Sequence, residues 1–187
     1  MFDYDINVNS IRKLDTVLKR VNKMLDIVNS DEFKEYIKQK VLELLEDEQK
    51  YLVGDEDDEN VIIKSEHVSI YKASHHTEDV AGGFILYNDA VVVAETSHPE
   101  NYEGGIFPLA LAIEYGTGIV AEVGSYSAGV FEPWEYNVHE YNGYWVLPDG
   151  RLSSGNEPYE IYSNVALKTV EQYGNWVTSY LKEKGGI

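Results

Sequence analysis

The chain has 187 residues, 43% of them hydrophobic, with a formal net charge of −18 and no cysteine. This length fits one domain, and the apolar content can bury a core, which argues against global disorder. Without cysteine, disulfides and cysteine-ligated metal sites are excluded, and because the longest apolar runs fall short of about 18 residues, we expect no transmembrane helix.

The negative charge is unevenly distributed along the chain. Residues 1–50 have a net charge of −2, whereas residues 51–187 have −16. Between Lys72 and Arg151 there are 12 acidic residues and no Lys or Arg. Because nucleic-acid binding rests on cationic contacts with phosphate, sequence-specific DNA or RNA binding is not expected. The acidic start of the chain lacks the basic-then-apolar pattern of a secretion signal, so we expect synthesis in the cytoplasm.

The N-terminal segment, residues 1–53, is predicted to be a helical hairpin. Apolar residues at alternating spacings of three and four predict a first helix over about residues 10–28, with Ser10 as a candidate N-cap. Ser30 or Asp31 can cap a second helix that stops before Gly54. The first stripe comprises Ile11, Leu14, Leu18, Val21, Leu25 and Val28, and the second Phe33, Tyr36, Ile37, Val41, Leu44 and Leu45.

Residues 61–157 are predicted to form a sheet with one short helix, after an acidic loop at 54–59 that lacks the ligand spacing of a calcium loop. Residues 61–63 and 67–71 indicate one long strand or two short ones, Gly82-Gly83 indicates a turn, and strands over 84–87 and 90–94 flank the turn pair Asn88-Asp89. Pro108 is expected near the start of a short helix that ends at Gly116.

The aromatic segment that follows predicts an inserted β-hairpin. Trp134, Tyr136 and Val138 alternate, as do Tyr144 and Val146, around the turn pair Asn142-Gly143. A further turn is predicted at 148–150, and a last helix over 158–184, opened by Pro158. The order predicts a single α+β domain over residues 1–187, in which the N-terminal helical hairpin and the C-terminal helix pack on a mostly antiparallel sheet.

No arrangement of residues in the sequence predicts catalysis. The five histidines lack the spacing of paired metal ligands, and the Gly, Ser and acidic residues match no phosphate loop, nucleophile elbow or specific acid–base pair. We therefore predict no enzyme activity, no metal and no cofactor.

The aromatic hairpin leaves three interpretations open. Its side chains can pack back on their own domain, anchor a protein interface, or stack on sugars as in a carbohydrate-binding or adhesion module. The last of these is the leading functional alternative.

The stretch Ala112-Ile113-Glu114-Tyr115-Gly116-Thr117-Gly118-Ile119-Val120 resembles a signature of the neck proteins of tailed bacteriophages, also called minor capsid, head–tail joining or tail-completion proteins. In that family a Gly- and aromatic-rich insertion follows the signature, and here Trp134-Glu135-Tyr136 and Gly143-Tyr144-Trp145 take its place. The family then has a small-residue turn and a Pro that opens a terminal helix, as in Gly155-Asn156-Glu157-Pro158 before Tyr162-Ser163-Asn164-Val165-Ala166. The resemblance covers roughly residues 84–184.

The resemblance implies a virion structural protein at the head–tail junction, assembled into a closed homo-oligomeric ring, expected to be hexameric. Its implied partners are the connector or head-completion protein on one side and the tail tube or tail terminator protein on the other. DNA is expected to pass through the ring without sequence-specific binding, and acidic residues between positions 73 and 150 are expected to contribute to an acidic lumen. The candidate interface residues are Glu114, Tyr115, Gly116, Thr117, Gly118, Trp134, Tyr136, Tyr144 and Trp145.

Overall fold

The computed structural model describes residues 8–54, 63–93, 106–107, 109–116, 145–146, 152–153 and 157–185. Over these residues the protein is mostly helical, with five helices and short antiparallel strand pairs, which is an α+β composition. The helices are α1 (Val8–Val28), α2 (Asp31–Gln49), α3 (Ser65–Ala73), α4 (Leu109–Tyr115) and α5 (Ile161–Glu183). None of them is long and apolar enough to cross a membrane.

The chain divides into two compact units. Unit 1 comprises Met1–Leu44 and Ala166–Ile187, and unit 2 comprises Leu45–Val165. Helices α2 and α5 each contribute residues to both units. The predicted single domain and its internal boundaries stay predictions.

In unit 1, the junction between α1 and α2 is built around Ser30. The Ser30 hydroxyl accepts a hydrogen bond from the backbone N–H of Phe33 (3.2 Å) and donates one to the carbonyl of Ile27 (2.7 Å). One side chain therefore satisfies an N–H at the start of α2 and adds a second donor to the Ile27 carbonyl, which also accepts the backbone N–H of Ser30 (3.2 Å). The prediction that Ser30 caps the second helix is confirmed. The prediction of Ser10 as the first N-cap is wrong, because α1 already begins at Val8.

The core of unit 1 is aromatic. The rings of Phe33 and Tyr180 meet edge to face with centroids 5.2 Å apart, and Tyr36 lies 4.7 Å from Tyr180. Lys184 lies over the Tyr180 ring at 5.4 Å and pairs with Glu32 at 3.3 Å. These contacts attach the last turns of α5 to the first turns of α2, so two segments far apart in sequence form one unit.

In unit 2, α3 replaces the strand predicted over residues 67–71, and that prediction is wrong. Val68 and Tyr71 are buried, whereas Ile70 between them is 39% exposed. Burial three residues apart is the period of a helix, and the apparent alternation of Val68 with Ile70 concealed it. The first turn is fastened by the His67 ring, whose Nδ1 accepts the Lys64 backbone N–H at 3.3 Å.

Among the described residues, the strands form three antiparallel pairs. The longest is a hairpin of β1 (His75–Val80) and β2 (Gly83–Asn88), in which His75 lies opposite Asn88 and Val80 opposite Gly83. Gly82 has a φ of +89°, which a residue with a side chain adopts only with strain, so the predicted turn at Gly82-Gly83 is confirmed.

The other two pairs are two residues long on each side. β3 (Val92–Val93) pairs with β4 (Ile106–Phe107), and β5 (Trp145–Val146) pairs with β6 (Leu152–Ser153). The predicted strand over residues 90–94 is therefore shorter than expected, and its observed partner is β4. The predicted strand over residues 134–138 lies outside the described residues.

Candidate functional site

Glu114, the acidic residue of the signature, lies buried on α4 and holds the start of α5. Its Oε1 accepts hydrogen bonds from the backbone N–H (3.1 Å) and the hydroxyl (3.0 Å) of Ser163, and its Oε2 accepts the backbone N–H of Tyr162 (3.0 Å). Glu114 is 6% exposed. The carboxylate of a residue on another helix therefore takes the place of an N-cap side chain of α5. Its negative charge also interacts favourably with the positive end of the α5 dipole.

Backbone contacts reinforce this junction. The N–H of Tyr159 donates to the carbonyl of Ile113 (2.9 Å), and the N–H of Glu160 donates to the carbonyl of Glu114 (3.2 Å). Glu160 has a φ of +49°, in the left-handed region that side chains rarely adopt. The chain thus accepts local strain immediately before α5 so that its backbone can pair with the end of α4.

Gly116 ends α4 in the manner that its sequence position predicts. It follows Tyr115, the last residue of the helix, and has a φ of +74°. Glycine is the residue that reaches this conformation without strain, so its prediction as the C′ residue is confirmed.

A polar cluster lies next to this junction in unit 2, centred on His75 of β1. Its Nδ1 lies 2.8 Å from the hydroxyl oxygen of Tyr162, and its Nε2 contacts the side-chain amides of Gln49 and, at 3.1 Å, Asn88. Tyr71 lies edge-on to the His75 ring, with centroids 4.9 Å apart. Four elements (α2, α3, β1 with β2, and α5) therefore meet at one imidazole.

The hydrogen-bond network fixes the orientation of the Asn88 amide beside His75. The Oδ1 of Asn88 accepts the N–H of Ala90 (2.9 Å), and its Nδ2 donates to the Tyr71 carbonyl (3.0 Å). Nδ2 therefore faces the His75 ring, 3.1 Å from Nε2 and 3.5 Å from Nδ1. The Ala90 contact is also the turn chemistry predicted for Asn88-Asp89.

Burial sets the ionisation of the cluster. Desolvation, with a smaller contribution from neighbouring His76, lowers the pKa of His75 from 6.5 to about 4. Burial also raises the pKa of Tyr71 and of Tyr162, and the nearby Glu114 carboxylate adds to both shifts. At neutral pH the imidazole and both phenols are therefore uncharged, and they lie beside one buried carboxylate. The hydroxyl of Tyr71 is buried there without a hydrogen-bond partner among the described residues.

The described hydrogen bonds of Glu114 and His75 fix one secondary-structure element against another. Across the residues that the structure describes, no three His, Asp or Glu side chains gather in a way that could hold a metal ion.

The structure describes part of the predicted interface set. Glu114, Tyr115 and Gly116 lie together at the end of α4, and Trp145 lies in β5. The other members, Thr117, Gly118, Trp134, Tyr136 and Tyr144, and the side chain of Trp145 fall outside the described residues. The interface role of the set stays a prediction.

Sequence reasoning missed the cluster around His75. From the sequence, the five histidines, His75 among them, are considered only as metal ligands, and Tyr162 only as part of the terminal-helix opening. Their partners lie 26 and 87 residues from His75 in the chain, for Gln49 and Tyr162 respectively, so no local spacing could have indicated the contact.

No family model, no curated protein and no solved structure matches this chain.

Proposed function

We propose that this protein is a structural virion protein of a tailed bacteriophage that forms a ring at the head–tail junction, through which DNA passes. Two of the three parts of the resemblance that suggests it are the signature over 112–120 and the terminal-helix opening over 155–166. The observation that carries the proposal is the bond of Glu114 to the N-terminus of α5, because it joins these two parts. Because the glutamate of the signature holds the start of the terminal helix, the two segments depend on each other, which accounts for their occurring together.

The chemistry of the described residues supports a structural role. The Glu114 carboxylate holds the start of α5 to α4, and the His75 ring, which burial keeps neutral, joins the β1–β2 hairpin to α5. We include in this proposal the finer arrangement of the fold, in which the helices pack on a mostly antiparallel sheet with an inserted aromatic hairpin.

The proposed acidic lumen involves the acidic residues between positions 73 and 150 that face solvent. Among the described ones, Glu78, Asp79 and Asp89 are exposed. Glu114 is buried and serves the α5 junction instead. Exposed carboxylates repel phosphate, so DNA would pass without adhering.

The first experiment is light scattering coupled to size exclusion across a range of protein concentration, with negative-stain microscopy of the main peak. We expect a discrete closed oligomer, a hexamer above all, with a central channel. A monomer at every concentration and no rings in the micrographs contradict the proposal. Glycan binding that Trp134→Ala or Trp145→Ala abolishes would instead favour the carbohydrate-binding alternative.

A further inference from the structure

We draw no further inference here: the strongest candidate, the solvent-exposed apolar stripe of α1 that includes Leu14, Leu18 and Leu25, carries none, because nothing in the structure shows what covers it.

Discussion

Glu114 shows how one side chain can connect segments far apart in the sequence. It lies on a helix of seven residues, yet its carboxylate satisfies two backbone N–H groups and one hydroxyl at the start of a helix of 23 residues. Buried N–H groups that are left without an acceptor lower the stability of the fold. This carboxylate therefore contributes more to the free energy of unfolding than an exposed carboxylate does.

We expect Glu114→Ala to lower the free energy of unfolding by about 2–4 kcal/mol, because it removes three hydrogen bonds and leaves a small void. Glu114→Gln should cost about 1–2 kcal/mol, since one oxygen remains as an acceptor. Urea denaturation monitored by circular dichroism measures both. Glu171→Gln, on the exposed side of α5, is the control; equal midpoints for all three variants would contradict the assigned role.

His75 predicts a pH dependence of stability. Its pKa is lowered from 6.5 to about 4 in the folded protein, so the unfolded chain takes up the proton first. The stabilising contribution of the neutral imidazole is therefore complete above pH 6.5 and is lost as the pH falls through that range to about 4. The imidazole is only partly buried, so we expect the loss to be on the order of 1–2 kcal/mol.

The measurement is the free energy of unfolding at a series of pH values for wild type, His75→Gln and His76→Gln. The difference between wild type and His75→Gln should shrink as the pH falls. His76→Gln, at a more exposed neighbouring position, should change the profile much less than His75→Gln does, because His76 makes the smaller contribution to the lowered pKa of His75. A wild-type curve parallel to that of His75→Gln would show that His75 does not titrate as assigned.

At the scale of elements, two glycines have opposite structural roles. A Cβ on Gly174 would meet nothing within 4 Å, whereas a Cβ on Gly54 would lie 2.6 Å from Cα of Ser65. Gly174 is an exposed residue in the middle of α5. Gly54 permits a close approach of the chain to the start of α3.

Gly174→Ala should therefore stabilise the protein by about 0.5–1 kcal/mol, which is the difference in helix propensity between the two residues. Gly54→Ala should destabilise it by about 1–3 kcal/mol, because backbone atoms must move to make room. Thermal melts of both variants check the pair. The same sign of change in both would contradict the packing described here.

The elements also show which patterns in the sequence were reliable. The long stripes of α1 and α5 and the caps at Ser30 and Gly116 predicted their helices, since periodicity and end chemistry are local properties. The segment His67–Tyr71 was wrongly predicted as a strand, because two apolar residues at alternate positions fit a strand and a short helix equally well. Burial of Tyr71 against residues distant in sequence decided for the helix.

At the scale of the whole molecule, the charge distribution predicts the response to DNA. Wild-type protein should not retard duplex DNA at physiological salt, because residues 73–150 include 12 acidic residues and no Lys or Arg. Glu78→Lys/Asp79→Lys should introduce retention if these carboxylates face the DNA path. Glu35→Lys/Glu46→Lys, exposed on α2, is the control with the same change in net charge.

Gel shift of the assembled oligomer on linear duplex DNA measures this difference. Retention by the 78/79 variant alone supports an acidic lumen formed by unit 2. Equal retention by both variants would mean that only total charge matters, and would contradict the assignment of these residues to the DNA path.

The sequence by itself determined the mixed α+β class, the acidic character of residues 51–187 and the ends of several helices, because these depend on side chains close to one another in the chain. The tertiary structure alone decided that Glu114 caps α5, that His75 lies neutral between Gln49, Asn88 and Tyr162, and that the stripe of α1 is exposed. The first two depend on partners between 13 and 87 residues away in the chain. The amphipathic pattern of a helix indicates an apolar face that gains stability when it is buried. Only the packing of the folded chain shows whether the chain itself buries that face.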